Sequence, residues 1–124
     1  MGCAGDLNKG EKAISNDLFI VVTSDVMGKD SDIGRVLMKG FFETMKSTGE
    51  LPHTLFFMNK GVMLTTTDEE FVSILKGIKE AGVEIYSCGT CLKHYGLEDK
   101  LQVGHRGSTG QVIEGIADMK TVWI

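Results

Sequence analysis

Cys88 and Cys91 stand three residues apart in the segment Ser87-Cys88-Gly89-Thr90-Cys91. At that spacing a sulfur species formed on one cysteine lies within reach of the other. Three kinds of chemistry use such a pair. One is dithiol–disulfide exchange. Another is carriage of a sulfane sulfur as a persulfide on Cys88, with Cys91 as the resolving thiol. The third is half of a zinc site, which needs two more ligands to close a four-coordinate shell. Cys3, His94 and His105 are the remaining candidates, and C-x-x-C-x-x-H has no second pair behind it, so no metal is expected. A plain packing role stands beside these three, because cysteine also behaves as a small apolar side chain.

The position of the pair favours reactivity. Val83-Glu84-Ile85-Tyr86-Ser87 reads as a strand, and the residues after Cys88 read as one or two helical turns. A cysteine where a strand enters a helix meets unpaired backbone N–H groups and the positive end of the helix dipole. Thiolates in such settings have pKa values of about 3.5–7.5, against about 8.5 for a free cysteine. The N–H groups of Gly89 and Thr90 are the expected supports. His94 and Lys93 would add positive charge nearby. Tyr95 is expected to pack over the site, and Trp123 to anchor a sheet edge or a subunit interface.

The elements that hold the pair follow from periodicity. Leu18-Phe19-Ile20-Val21-Val22-Thr23 and Thr54-Leu55-Phe56-Phe57-Met58 are continuous apolar runs, the mark of parallel strands buried on both faces. A helix over 33–46 places Ile33, Val36, Leu37, Phe41 and Met45 on one face, with Asp30 or Ser31 as its cap and Gly49 as its stop. Phe71, Ile74, Leu75 and Ile78 predict a second helix behind Asp68-Glu69-Glu70, closed by Gly82. Leu101-Gln102-Val103 predicts a short strand. Val112, Ile113 and Ile116 predict a helix over 111–119, and Thr121-Val122-Trp123-Ile124 a last strand.

Strands alternating with helices imply one α/β domain over 17–124. It should be a three-layer sandwich of about five mostly parallel strands with helices on both faces, behind a loose tail over 1–16. Ligands bind such sheets at the C-terminal ends of the strands. Three loops meet there, and they add Ser24, Asp25 and Asn59 to the candidate pocket around Cys88 and Cys91.

Composition narrows the function. The chain has 124 residues, 42% of them hydrophobic, with one proline and sixteen glycines, which fits a folded domain and not a disordered linker. Its net charge of −4 and the absence of a basic run argue against nucleic acid as a partner. No apolar stretch reaches the roughly 20 residues of a membrane span. Three cysteines and a polar N-terminus predict a reduced, cytoplasmic protein. Neither G-x-G-x-x-G nor G-x-x-x-x-G-K-[ST] is present, so no cofactor is expected, and FMN is a ligand that only the sheet itself would permit.

Larger stretches point the same way. Ile20-Val21-Val22-Thr23-Ser24-Asp25 with Gly28, Gly34 to Phe42, Phe57-Met58-Asn59-Lys60-Gly61-Val62, and above all Gly82 to Leu92 followed by Tyr95-Gly96-Leu97 and Lys100 to Gly104, keep a recognisable order. Over about 17–124 the chain resembles the DsrE/DsrF-like family of small sulfur-relay proteins. It is most similar to the C-terminal domain of the YedF-like branch, described as sulfurtransferase-like proteins of selenium metabolism. The resemblance implies a parallel five-stranded sheet of the DsrE or flavodoxin-like kind and assembly into dimers, trimers or hexamers. It also implies sulfur or selenium handed between proteins as a cysteine-bound species. The family's carrier cysteine follows the third strand and corresponds to Cys88, while Cys91 matches the second cysteine of the branch. That branch usually carries a TusA-like domain ahead of this one. Here sixteen residues stand in its place, so the donor is expected to be a separate, TusA-like protein. Gly107-Ser108-Thr109-Gly110 replaces the branch's Ser-Asn-Met-like segment. The alternatives are a thiol–disulfide oxidoreductase or redox sensor, and an oligomeric binding module without chemistry.

Overall fold

A computed structural model describes residues 13–14 and 17–124. Five strands form one sheet: β2 (Leu18–Val22), β4 (Thr54–Phe57), β5 (Glu84–Cys88), β6 (His105–Gly107) and β7 (Lys120–Trp123). Their order across the sheet is β6-β5-β4-β2-β7, and every pairing is parallel. The register sets Val22 beside Phe57, Phe57 beside Ser87, Cys88 beside Gly107 and Val21 beside Trp123. The C-terminal ends of the strands are therefore level, and the loops after them share one edge. Two further short strands, β1 (Ala13–Ile14) and β3 (Glu50–Leu51), pair in parallel apart from this sheet. The expected loose tail thus includes a paired segment at Ala13–Ile14, and the rest of 1–16 lies outside the described residues.

The two faces of the sheet are covered unequally. On one face Ile20, Val22, Leu55, Phe57 and Ile85 pack beneath α1 (Asp32–Thr48) and α2 (Glu69–Glu80). Met38, Phe42 and Met45 come down from α1, and Phe71, Val72, Ile74, Leu75 and Ile78 from α2. Each such side chain stabilises the fold by about 1.5–3 kcal/mol relative to exposure. On the other face Phe19, Val21, Phe56 and Cys88 cluster with Val112 of α4 (Thr109–Asp118).

The caps follow the chemistry of helix ends. Ser31 accepts the Gly34 N–H at 3.1 Å, and Asp68 accepts the Phe71 N–H at 3.1 Å. Gly49 ends α1 in the left-handed region at φ 76°, where a side chain would be strained. Ser108 and Gln111 form a reciprocal capping box on α4.

Three expectations need correction. The inner stripe of α1 is Gly34, Met38, Phe42 and Met45, whereas Ile33, Val36, Leu37 and Phe41 face outward. Gly34 is buried against the loop that precedes the helix, where a Cβ would lie 2.5 Å from the Lys29 carbonyl oxygen. On α4, Val112 and Gly115 face the sheet and Ile113 and Ile116 are exposed. Gly115 fits because the Phe19 ring would lie 2.7 Å from its Cβ. The strand expected at 101–103 is displaced to β6. Val103 is buried in the core, and Gly104 turns the chain at φ 78° against the Ile85 carbonyl before pairing begins.

Candidate functional site

Alternation along β5 sorts its side chains. Ile85 joins the core of the thickly covered face, whereas Tyr86 and Cys88 meet the cluster of the thinly covered one. Ser87 is fully buried, and its hydroxyl hydrogen-bonds to that of Thr65 at 2.7 Å. Thr65 closes a 3-10 segment, Asn59–Thr65, that follows β4. Gly61 lets this segment sit against β2, since the Val22 carbonyl fills the space a side chain would need. These contacts fix Asn59 above the end of β5.

Cys88 is 2% exposed, enclosed with Phe19, Val21, Phe56 and Val112. It is the N-cap of the six-residue helix α3 (Gly89–His94), but its side chain makes no capping hydrogen bond. The expected support from the Gly89 and Thr90 N–H groups is therefore not directed at this sulfur. Gly89 is buried, and a Cβ on it would lie 2.6 Å from the Arg106 Nε. Arg106 itself pairs with Glu98 at 3.3 Å.

Cys91 is half-buried and packs against both cores. Its Sγ accepts the Asn59 backbone N–H at 3.0 Å. Asn59 holds that N–H in place from a left-handed backbone, φ 50°, rare for a residue with a side chain. The Tyr95 hydroxyl donates to the Asn59 Oδ1 at 2.8 Å, and the His94 ring stands edge-on to Tyr95 at 4.9 Å. Burial pushes the Cys91 thiol above its ordinary pKa, a hydrogen bond to the Cys88 sulfur raises it further, and the Asn59 N–H acts in the opposite direction.

Cys91 opens onto a cavity of about 430 Å³ lined by Thr23, Met58, Asn59, Thr90, Cys91, His94, Tyr95 and Trp123. Of the expected site residues, Asn59, Thr90, Cys91 and His94 meet here. Cys88 and Gly89 lie beneath. Ser24 and Asp25 do not line the cavity, and the Ser24 hydroxyl instead accepts the Val26 N–H at 3.2 Å. Thr23 takes their place, tied to the carbonyl of Ile124 through both its N–H and its hydroxyl. That tie brings the end of β7, and Trp123 with it, to the cavity. Trp123, half-exposed, is a wall residue that its sequence position alone would not reveal, because only the strand order sets β7 beside β2.

Among the described residues no cluster of three or more His, Cys, Asp and Glu side chains could hold a metal ion. None of their helices is long and apolar enough to cross a membrane.

Known structures share this fold. The YchN protein of E. coli superimposes with a TM-score of 0.62 at 15% identity, over 89% of this chain and 100% of its own. A protein of unknown function, MTH1491 of Methanobacterium thermoautotrophicum, gives a TM-score of 0.64 at 15% identity, over 86% of this chain and 97% of its own. Another, BT1422 of Bacteroides thetaiotaomicron, gives 0.61 at 15% identity, over 88% and 96%. At such identities the likeness is one of fold. No curated protein matches the sequence. The sequence pattern of the DsrE/DsrF-like family matches residues 16–121, and the chain belongs to that family.

Proposed function

We propose that this protein is a sulfur carrier, holding a sulfane sulfur, or its selenium counterpart, on the Cys88–Cys91 pair and passing it between partner proteins. One observation carries the reading: two free thiols three residues apart at the strand ends, one opening on a cavity and the other enclosed behind it. The sulfur rests on Cys88 as a persulfide. In transfer, the terminal sulfur returns from Cys88 to Cys91 at the cavity, where an acceptor thiolate attacks it and the Cys91 thiolate leaves. In reductive release, the Cys91 thiolate attacks the Cys88 sulfur, a Cys88–Cys91 disulfide forms and HS⁻ departs. The electron pair lost by the two cysteines is the one gained by the sulfane sulfur. Such a cycle belongs in a reducing compartment such as the cytoplasm.

Donor and acceptor are separate proteins in this reading, the donor TusA-like. The outward stripe of α1 supports assembly of several copies. Ile33 and Val36 are each more than 60% exposed, and Leu37 and Phe41 line an apolar groove of about 690 Å³ beside them.

Intact mass spectrometry after incubation of the reduced protein with a sulfane-sulfur donor tests the reading. A Cys3→Ser background leaves only the pair to react. One added sulfur atom, absent from the double variant Cys88→Ser/Cys91→Ser, is expected. Loss of two hydrogens without added sulfur would instead make the protein a dithiol–disulfide exchanger. No change at all would make it a binding module.

A further inference from the structure

We infer that Cys91, and not Cys88, is the first acceptor of incoming sulfur, and that Cys88 receives it from Cys91 as an enclosed store. The inference rests on the relay reading and assigns the order of its steps. Cys88 is 2% exposed and surrounded by Phe19, Val21, Phe56 and Val112, so a donor cannot approach its sulfur along the line that displacement needs. Cys91 lines the cavity, and among the described residues it is the thiol that touches both the cavity and the core around Cys88. The Asn59 N–H already points at its sulfur, at 3.0 Å. The donor is ready where thiolate charge must appear, and the Tyr95 hydroxyl holds Asn59 in that pose. The thiol's raised pKa lowers the thiolate fraction, but a more basic thiolate is also the stronger nucleophile.

The incoming molecule is a persulfide, R–S–SH, whose terminal sulfur enters the cavity that Cys91 lines. Cys91 gives up its proton and attacks that terminal sulfur. A new S–S bond forms on Cys91, the R–S bond to the sulfane sulfur breaks, and RS⁻ leaves with the electron pair and takes the proton. Cys88, deprotonated, then attacks the same terminal sulfur. The bond to Cys91 breaks, Cys91 takes up the proton from Cys88, and the sulfur now sits behind the cavity wall. Neither step changes the net oxidation state, so no outside oxidant or reductant is needed.

Time-resolved peptide mapping by mass spectrometry tests the order, with glutathione persulfide as the probe and protein in the Cys3→Ser background. The added sulfur should appear first on the Cys91 side of the pair and later on Cys88. In Cys88→Ser it should stay on Cys91. Cys91→Ser, and Cys91→Ala as a second variant, should load Cys88 about tenfold or more slowly, in line with the loss of access, with circular dichroism confirming that each is folded. Loading of Cys88 in folded Cys91→Ser as fast as in the parent would overturn the order while leaving the relay intact. Absence of uptake in every protein would overturn the relay itself, and the order with it.

Discussion

The two faces of the sheet divide the labour. Beneath α1 and α2, side chains such as Phe42, Leu75 and Ile78 are fully buried and only pack, with the Phe42 ring set against those of Phe57 and Phe71 at 6.2 and 5.0 Å. Beneath α4 the cover is thin, with Val112 as its buried apolar side chain and Gly115 letting the helix settle on Phe19. The Cys88 sulfur lies under the thin cover, and a thiol able to meet solvent, Cys91, lies at its rim. A single strand serves both purposes, because alternation turns Ile85 to one face and Cys88 to the other. Stability can thus be concentrated where no access is needed.

The contrast can be broken most strongly from the thick side. Phe42→Ala should cost about 3–5 kcal/mol in chemical denaturation, the usual loss for an enclosed aromatic. Gly61→Ala should cost about 1–3 kcal/mol, since its Cβ would meet the Val22 carbonyl and backbone must move. It should also displace Asn59 and slow sulfur loading. Val112→Ala on the thin side should cost only about 1–2 kcal/mol, yet speed alkylation of Cys88 in the folded protein. Equal losses for Phe42→Ala and Val112→Ala would contradict the unequal cover.

Smaller effects sharpen the picture at Cys91. Its pKa is raised in the folded chain, so its alkylation rate should keep climbing with pH beyond the ordinary cysteine value of about 8.5. A plateau below that pH would refute the assignment. The sign for stability follows from proton binding. Above the unfolded pKa the folded state holds its proton longer, so the contribution is present at lower pH and is lost as pH rises toward the folded value. Tyr95→Phe should have the least effect on stability, under about 1 kcal/mol for an exposed hydrogen bond, while moving the Cys91 alkylation profile to still higher pH.

Much of this architecture is legible in the residues. The unbroken apolar runs of β2 and β4 admit only buried strands, and Phe71, Ile74, Leu75 and Ile78 fix the inner side of α2. The inner side of α1 is ambiguous, because Ile33, Val36, Leu37 and Phe41 are as apolar as Met38, Phe42 and Met45. Only the packing decides between them, with the Phe42 ring set against Phe57 and Phe71. The same holds for Ile113 and Ile116 against Val112 and Gly115. At the site, Cys88, Cys91 and Asn59 can be read from spacing and strand ends. Which sulfur is accessible cannot, since it depends on how the 3-10 segment Asn59–Thr65 and the end of β7 close around α3. Trp123 and Thr23 enter for that reason, and Ser24 and Asp25 drop out.

The division between an accessible and an enclosed thiol is tested most directly by pulse alkylation of the reduced protein in the Cys3→Ser background. Peptide mapping would read each cysteine before and after unfolding in denaturant. Cys91 should be labelled in the native state while Cys88 stays protected until the chain unfolds. Native labelling of Cys88 as fast as, or faster than, Cys91 would contradict the account.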